Sequence, residues 1–179
     1  MTIESPYRRG ADDGMKFGLY LTAMFAGALF SSPAGPGAWL AMLLMFAAPV
    51  VLCVMMAGYF RRQAYRVGFG DLWLDGTLTV IFGTLIASAF LIVYMKWVNP
   101  DFVINQLNSI IDLNKEHPDM GLDAYAKVAE NLIADHTVPS ATVMAANMLV
   151  MISMGGIMLS AVLSLGLLLL ARLRGKRAA

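Results

Sequence analysis

The sequence predicts an all-α membrane protein with four transmembrane helices. Of the 179 residues, 59% are hydrophobic and only 14% are charged, whereas an average soluble domain is about 25% charged. Several uncharged runs are long enough to cross a bilayer, which takes roughly 20 residues of helix. We expect one four-helix membrane domain over residues 1–179, with a two-helix extracytoplasmic segment at about 99–139 between the third and fourth spans.

The first two spans share one uncharged stretch. The 44 residues between Lys16 and Arg61 carry no charge, and as one helix they would be about 66 Å long, about twice a hydrocarbon core. The stretch must therefore fold back, and the prolines and glycines of residues 31–37 mark the turn. We expect spans at about 17–30 and 38–60. In the second, Trp39 should be an interfacial anchor and Pro49 a kink.

Two further spans follow from the same pattern. The third should cover about 76–95, because an interfacial Lys96-Trp97 pair and a helix-stopping Asn99-Pro100 pair come next. The fourth should cover about 140–171, which is uncharged for 32 residues. This exceeds the length that a bilayer needs, so the fourth helix should tilt or protrude.

Basic residues predict the orientation. Ten of the thirteen Lys and Arg residues fall on one side of the predicted spans, and cytoplasmic segments carry the excess of such residues. Both termini should therefore be cytoplasmic. These residues are Arg8, Arg9, Lys16, Arg61, Arg62, Arg66, Arg172, Arg174, Lys176 and Arg177.

A cleaved signal peptide is the alternative for the first span. Arg8-Arg9, a short apolar stretch and the small residues 32–34 occur in the right order, and twin-arginine export is a variant of this idea. Asp12 and Asp13 interrupt the pattern. We therefore favour a retained span.

The extracytoplasmic segment should contain two amphipathic helices. Forty residues are too few for an independent core, so their apolar faces should lie on each other and on the bilayer surface, the span ends or a partner. The apolar residues at helical spacing are Val103, Leu107, Ile110 and Ile111, then Leu122, Tyr125, Val128, Ala129, Leu132 and Ile133.

Few polar residues are candidates for chemistry. Asp71 and Asp75, four apart, could pair as carboxylates. The interpretation that we prefer is structural: both carboxylates lie near the start of the third span, where a negative charge interacts favourably with the helix dipole, and Asp71 is the N-cap. His117 and His136 lack the motif spacing of a zinc site, and Cys53 has no activating neighbour. We expect no metal, no cofactor and no catalytic residue. The net charge of +1 gives no reason to expect nucleic acid.

The fourth span should have two distinct faces. One is a methionine stripe, which could pass Cu(I) but is more typical of packing against lipid. The other face consists of small residues, and such faces let membrane helices approach closely. Span three has a matching small face, and Ala23 and Gly27 form a shorter one in span one. The predicted helix-packing residues are Gly76, Thr79, Gly83, Ala87, Ser153, Gly156, Ser160 and Ser164, and the methionines are Met144, Met148, Met151, Met154 and Met158.

Two stretches resemble a family of bacterial membrane proteins, domain of unknown function 4199. They are residues 68–76, GFGDLWLDG, and residues 94–102, YMKWVNPDF. The resemblance implies four spans with an outer segment between the third and fourth. Its members have no assigned activity to carry over, so it implies no functional residue.

The leading functional hypothesis is a non-enzymatic accessory or assembly subunit of a membrane complex in the bacterial cytoplasmic (inner) membrane. Ion-coupled transport is disfavoured because no ionisable residue lies in the middle of a predicted span, and no nucleotide or nucleophile motif is present. The partners would be the lipid bilayer and a membrane protein or a second copy. The alternatives are a membrane partner of a polyprenyl-phosphate glycosyltransferase, by analogy, and a small passive pore or exporter.

Overall fold

The computed structural model describes residues 5–30 and 36–177, and all regular structure among them is helical. A π-helical turn, Tyr94–Val98, follows the third α-helix, and a 3-10 turn, Pro118–Met120, joins the fourth and fifth. The six α-helices of the described residues are α1 Pro6–Leu29, α2 Pro36–Arg62, α3 Phe69–Val93, α4 Phe102–Glu116, α5 Asp123–Ala134 and α6 Ala141–Arg177.

Three helical segments among the described residues are long and apolar enough to cross a membrane. They are Pro36–Arg62, Phe69–Val98 and Ala141–Leu173, and they correspond to the second, third and fourth predicted spans. Helix α1 is not one of them, because its first three turns carry five charged residues. The all-helical prediction is confirmed, and membrane crossing by α1 stays a prediction.

Helices α1, α2 and α3 begin earlier than predicted. Helix α1 starts at Pro6 instead of near residue 17, and α3 starts at Phe69 instead of near residue 76. The predicted spans began directly after the last charged residue, Lys16 or Asp75, but a charged side chain does not end a helix. Proline suits a first turn, which explains why Pro36 begins α2. Residues 31–35 of the predicted turn lie outside the described residues, and Pro49 lies inside α2.

Helix α6 begins where the sequence predicts. Pro139 comes just before it, and the Oγ of Ser140 accepts a hydrogen bond from the backbone N–H of Val143 at 3.4 Å, as an N-cap does. The 37 residues of α6 extend about 55 Å, which is well beyond the hydrocarbon thickness of a bilayer.

The chain divides into two compact units, one of residues 1–88 with 148–179 and one of residues 89–147. In the first unit, α1 packs antiparallel to α2. The Tyr20 hydroxyl donates a hydrogen bond to the Leu44 carbonyl, and Gly27 lies against Gly37 and Ala41. The core of this unit includes Phe17, Leu21, Leu52, Met56, Tyr59, Phe60, Leu72, Val80 and Ala87.

In the second unit, α4 and α5 form a helical hairpin. Asn114 donates a hydrogen bond to the Asp123 carboxylate at 3.1 Å, and Gly121, with φ of 68°, turns the chain between the helices. Val103 and Ile111 of α4 are buried, as predicted.

Only part of the predicted apolar face of α5 packs within the hairpin. Tyr125 is 68% exposed and Val128 is also exposed, whereas Ala126 and Ala129 are buried. Alanine lets two helices approach more closely than a large side chain does, so the alanine-lined side is the packed one. Tyr125 and Val128 therefore leave an apolar face uncovered within the hairpin.

Candidate functional site

Glycines of α1 form a close contact with α3. A Cβ atom placed on Gly14 would lie 2.6 Å from the Cβ of Phe82, and one on Gly10 would lie 2.6 Å from the Cβ of Leu78. Such distances leave no room for a side chain at either position. A Cβ atom on Gly18 would lie 2.8 Å from the Cβ of Ile86. Only glycine therefore fits at these three positions, which are spaced four residues apart along one face of α1.

The register of these contacts shows that α1 and α3 run parallel. From Gly10 to Gly18 along α1, the nearest α3 residues advance from Leu78 to Ile86. Both helices thus move forward by eight residues, a length of about 12 Å. The glycine contact is therefore continuous along about two turns of each helix.

A buried ion pair lies beside this contact on α1. The Nε of Arg9 is 2.8 Å from Oδ2 of Asp13, and the two residues are only 8% and 1% exposed. The exposed Lys16 places its Nζ 3.2 Å from the other oxygen of Asp13. Burial of an ionised group is costly unless the charge is paired. The two cations compensate the Asp13 carboxylate and permit α1 to bury it.

Asp71 and Asp75 do not form a paired site. Asp71 lies in the first turn of α3 and is exposed, in keeping with the favourable charge expected there. Its predicted N-cap role is wrong, because α3 begins two residues earlier, at Phe69. Asp75 is fully buried, and its backbone carbonyl oxygen lies 3.2 Å from the position of a Gly10 Cβ. The two carboxylates thus occupy different environments.

The other side of α3 packs against α6. A Cβ on Gly156 would lie 2.4 Å from Cγ1 of Val80, and the hydroxyls of Thr84 and Ser153 are 2.9 Å apart in a hydrogen bond. The Oγ of Ser160 lies 2.9 Å from the position of a Gly76 Cβ. From one contact to the next, the residue number rises along α3 from Gly76 to Thr84 and falls along α6 from Ser160 to Ser153. The two helices are therefore antiparallel.

The structure distributes the eight predicted packing residues over both sides of α3. Gly76, Ser153, Gly156 and Ser160 meet at the contact with α6. Gly83 lies instead against Phe17 and Gly18 of α1. The remaining three, Thr79, Ala87 and Ser164, are buried.

Comparison with known protein families finds a match that includes α3 and most of its contacts with α1 and α6. A family model described as a protein of unknown function (DUF4199) matches residues 13–167. The chain belongs to the DUF4199 family. The family that residues 68–76 and 94–102 suggested is therefore confirmed. No curated protein and no solved structure matches the chain.

The methionine stripe of this DUF4199 protein lies away from the packed face of α6. Met151 is 74% exposed, and Met154 and Met158 are also exposed. Met144 and Met148 are half-buried. The exposed thioethers form a flexible apolar surface that suits lipid or another helix.

The two histidines and the cysteine that were considered for chemistry lie outside α3. His117 ends α4 and His136 follows α5, where both are exposed. Among the described residues, no cluster of three or more His, Cys, Asp or Glu could hold a metal ion. Cys53 is half-buried and lines a cleft between α2 and α6.

Sequence reasoning missed the α1 side of α3 in this DUF4199 protein. The signal was present, since Gly10, Gly14 and Gly18 recur at intervals of four. It was overlooked because the predicted span began after Lys16, which left the charged part of α1 outside the bundle. The structure instead pairs Arg9 and Lys16 with Asp13 within the helix and buries the glycine face.

Proposed function

We propose that this DUF4199 protein is a four-span protein of the bacterial cytoplasmic membrane that serves as an accessory or assembly subunit of a membrane complex. The observation that carries this proposal is the unoccupied outer face of α6. A Cβ atom placed on Gly155 or Gly166 would meet no side chain and no other helix within 4 Å, although both glycines belong to a helix that is apolar enough to cross a membrane.

The parallel contact with α3 supports α1 as the fourth span. Helix α3 is a candidate span, and α1 follows it closely from Gly10 to Gly18. A helix that lies alongside a span shares its depth in the bilayer. The buried charges of α1, Arg9 and Asp13, are paired with each other, as ionisable residues within a membrane usually are.

Helix directions support cytoplasmic termini. Because α1 is antiparallel to α2, parallel to α3 and, through α3, antiparallel to α6, the start of α1 and the ends of α2 and α6 share one end of the unit. Arg8, Arg61 and Arg172 mark that end. A concentration of basic residues at one end favours its placement in the cytoplasm.

The outer face of α6 has the composition of a helix-docking surface. Gly155 and Gly166 are eleven residues apart, which is about three turns, so they lie on the same face of α6. Exposed Met151, Met158 and Val162 surround them. In lipid, helices associate through close backbone approach at small residues, and methionines adapt to irregular partner surfaces. A membrane helix of another protein is the occupant that we propose.

The adjacent glycines provide a matched test. A photo-cross-linking amino acid at Met151, introduced in the native host, should capture a specific membrane protein, and Gly155→Leu should abolish that capture without unfolding the chain. Gly156→Leu should instead destabilise the α3–α6 contact. Reciprocal capture from the partner and identification by mass spectrometry complete the experiment.

The identity of the captured chain decides between forms of the proposal. A polyprenyl-phosphate glycosyltransferase would establish that particular partnership. Capture of lipid alone, or of further copies of this chain alone, would contradict an accessory role. Solute leakage through vesicles that contain the purified chain would favour the small passive pore instead.

A further inference from the structure

A cleft opens between α2 and α6 near the basic end of the first unit. Its volume is about 240 Å³, several times the roughly 30 Å³ that a water molecule occupies in the liquid. Cys53, Ala57 and Phe60 line it from α2, and Leu167 and Leu170 line it from α6. These walls offer little to bind water or a polar solute and suit a hydrocarbon chain.

A cation lies at the mouth of this apolar cleft. Arg61 lines it one residue beyond Phe60, and its side chain is exposed. None of the ion pairs of the described residues includes Arg61. Exposed Arg62, Arg66 and Arg172 add further positive charge near the same helix ends. The cleft therefore joins an apolar slot to an uncompensated positive charge.

A tight turn holds an aromatic ring at the same mouth. After α2 ends, the N–H of Tyr65 donates to the carbonyl of Phe60 and the N–H of Ala64 donates to that of Arg61, which is the Schellman pattern. Ala64 and Tyr65 adopt φ of 51° and 60°, a left-handed conformation that costs non-glycine residues free energy. The turn sets the Tyr65 ring edge-on to Phe60, with centroids 5.0 Å apart.

We propose that this cleft binds an anionic diacyl phospholipid of the cytoplasmic leaflet. The phosphate lies beside Arg61, and one acyl chain lies between α2 and α6 and reaches Cys53. From Arg61 to Cys53 the helix rises about 12 Å, which matches most of the roughly 15 Å of hydrocarbon in one leaflet. Basic pockets between membrane helices on the cytoplasmic side suit anionic headgroups. The inference uses the proposed orientation but not the proposed accessory role.

Native mass spectrometry of the purified full chain tests this site. Phosphatidylglycerol and phosphatidylcholine with identical acyl chains are offered to the wild type, Arg61→Gln and Arg62→Gln. We expect the wild type to retain phosphatidylglycerol preferentially. Arg61→Gln should lower that retention about fivefold, the typical effect of one basic residue near an anionic lipid surface. Arg62→Gln, which changes an adjacent exposed arginine that does not line the cleft, should retain the preference.

The single cysteine reports where the lipid binds. Phosphatidylglycerol should slow alkylation of Cys53 by N-ethylmaleimide in the wild type and in Arg62→Gln, but not in Arg61→Gln. Equal retention of the two lipids, equal losses in the two arginine variants, or unchanged alkylation of Cys53 would each overturn the proposal. Competition by soluble glycerol 3-phosphate would also overturn it, because the site would then bind a free anion. None of these measurements requires a protein partner.

Discussion

Helix α3 has two packed sides, and different types of residue form the two contacts. Towards α1, three glycines remove side chains altogether and a buried ion pair lies beside the contact. Towards α6, one glycine accommodates Val80 and small hydroxyl side chains fill the rest, with Thr84 and Ser153 hydrogen-bonded across the helices. Both sides use close backbone approach, which is the main source of helix association where lipid removes the hydrophobic driving force.

The two sides should differ in how much stability a substitution removes. A hydroxyl on the α6 side keeps hydrogen bonds within its own helix, as Ser160 and Ser164 do with the carbonyls one turn earlier. A charge on the α1 side has no such local substitute, because an unpaired buried ion is far costlier than an unpaired hydroxyl. We therefore expect substitutions on the α1 side to have the larger effects.

Breaking the ion pair should have the largest effect. Arg9→Leu leaves the buried Asp13 with only the exposed Lys16, and removal of one partner of a buried pair typically costs about 3–5 kcal/mol. Titration of unfolding with a denaturing detergent measures the loss. The double variant Arg9→Leu, Asp13→Leu should cost less than the sum of the two single changes. The exposed Arg8 is the control, and an equal loss in Arg8→Leu would show that burial of Arg9 is not the cause.

Filling the glycine contact should have the next largest effect. Gly14→Leu places a side chain against the Cβ of Phe82 and the backbone oxygen of Thr79, and that backbone cannot rotate away. Overpacking typically costs about 1–3 kcal/mol and occasionally more. Met15→Leu, at the exposed neighbouring position, should be nearly neutral in the same thermal unfolding measurement. Similar midpoints for the two variants would mean that α1 does not pack on α3 through its glycines.

The sequence was more informative about the α6 side than about the α1 side. Gly156 and Ser160 stand in a long uncharged run, so their spacing indicates a packing face directly. Gly10 and Gly14 stand among charges, and only the pairing of Arg9 with Asp13 makes that stretch fit to be buried. This pairing is a local i,i+4 contact on a helix, but its burial depends on neighbouring helices.

Burial of a particular aspartate could not be predicted for a related reason. Asp71 and Asp75 are four residues apart on one helix, yet one is exposed and the other is fully buried. Periodicity finds the common face of two residues but not where the neighbouring helix begins to cover it. The same limit applies to α5, where helical spacing finds the apolar face but not which of its residues, such as buried Ala129 and exposed Tyr125, meet α4.

Filling the α6 contact should have an intermediate effect. Gly156→Leu puts a branched side chain where the methyl groups of Val80 now lie. Val80 is a side chain that can move, so the loss should be at the lower end of the overpacking range, about 1–2 kcal/mol. Gly155→Leu points into open space and should leave the unfolding midpoint of the isolated chain unchanged. A reversed order of the two variants would contradict the assigned inner face of α6.

Removing the interhelical hydrogen bond should have a smaller effect. Ser153→Ala deletes the hydroxyl bonded to Thr84, and such bonds between membrane helices average about 0.6 kcal/mol. Thr84 keeps acceptors in the carbonyls of Val80 and Ile81, so its hydroxyl would not be stranded. A double-mutant cycle with Thr84→Val isolates the coupling between the pair. A coupling energy above about 2 kcal/mol would make this hydrogen bond, and not close approach, the main contact of α3 with α6.

Substitution of the exposed methionine should have the smallest effect. Met151→Leu nearly conserves volume on the outer face of α6, where the side chain is 74% exposed, and exposed substitutions usually change stability by less than about 0.5 kcal/mol. Thermal unfolding in detergent should place this variant close to the wild type and well above Gly156→Leu. Since the isolated chain lacks any partner, the same substitution can still alter cross-linking from the outer face. If Met151→Leu were the more damaging change, the methionine stripe would be part of the intramolecular core, and the division of α6 into an inner and an outer face would be wrong.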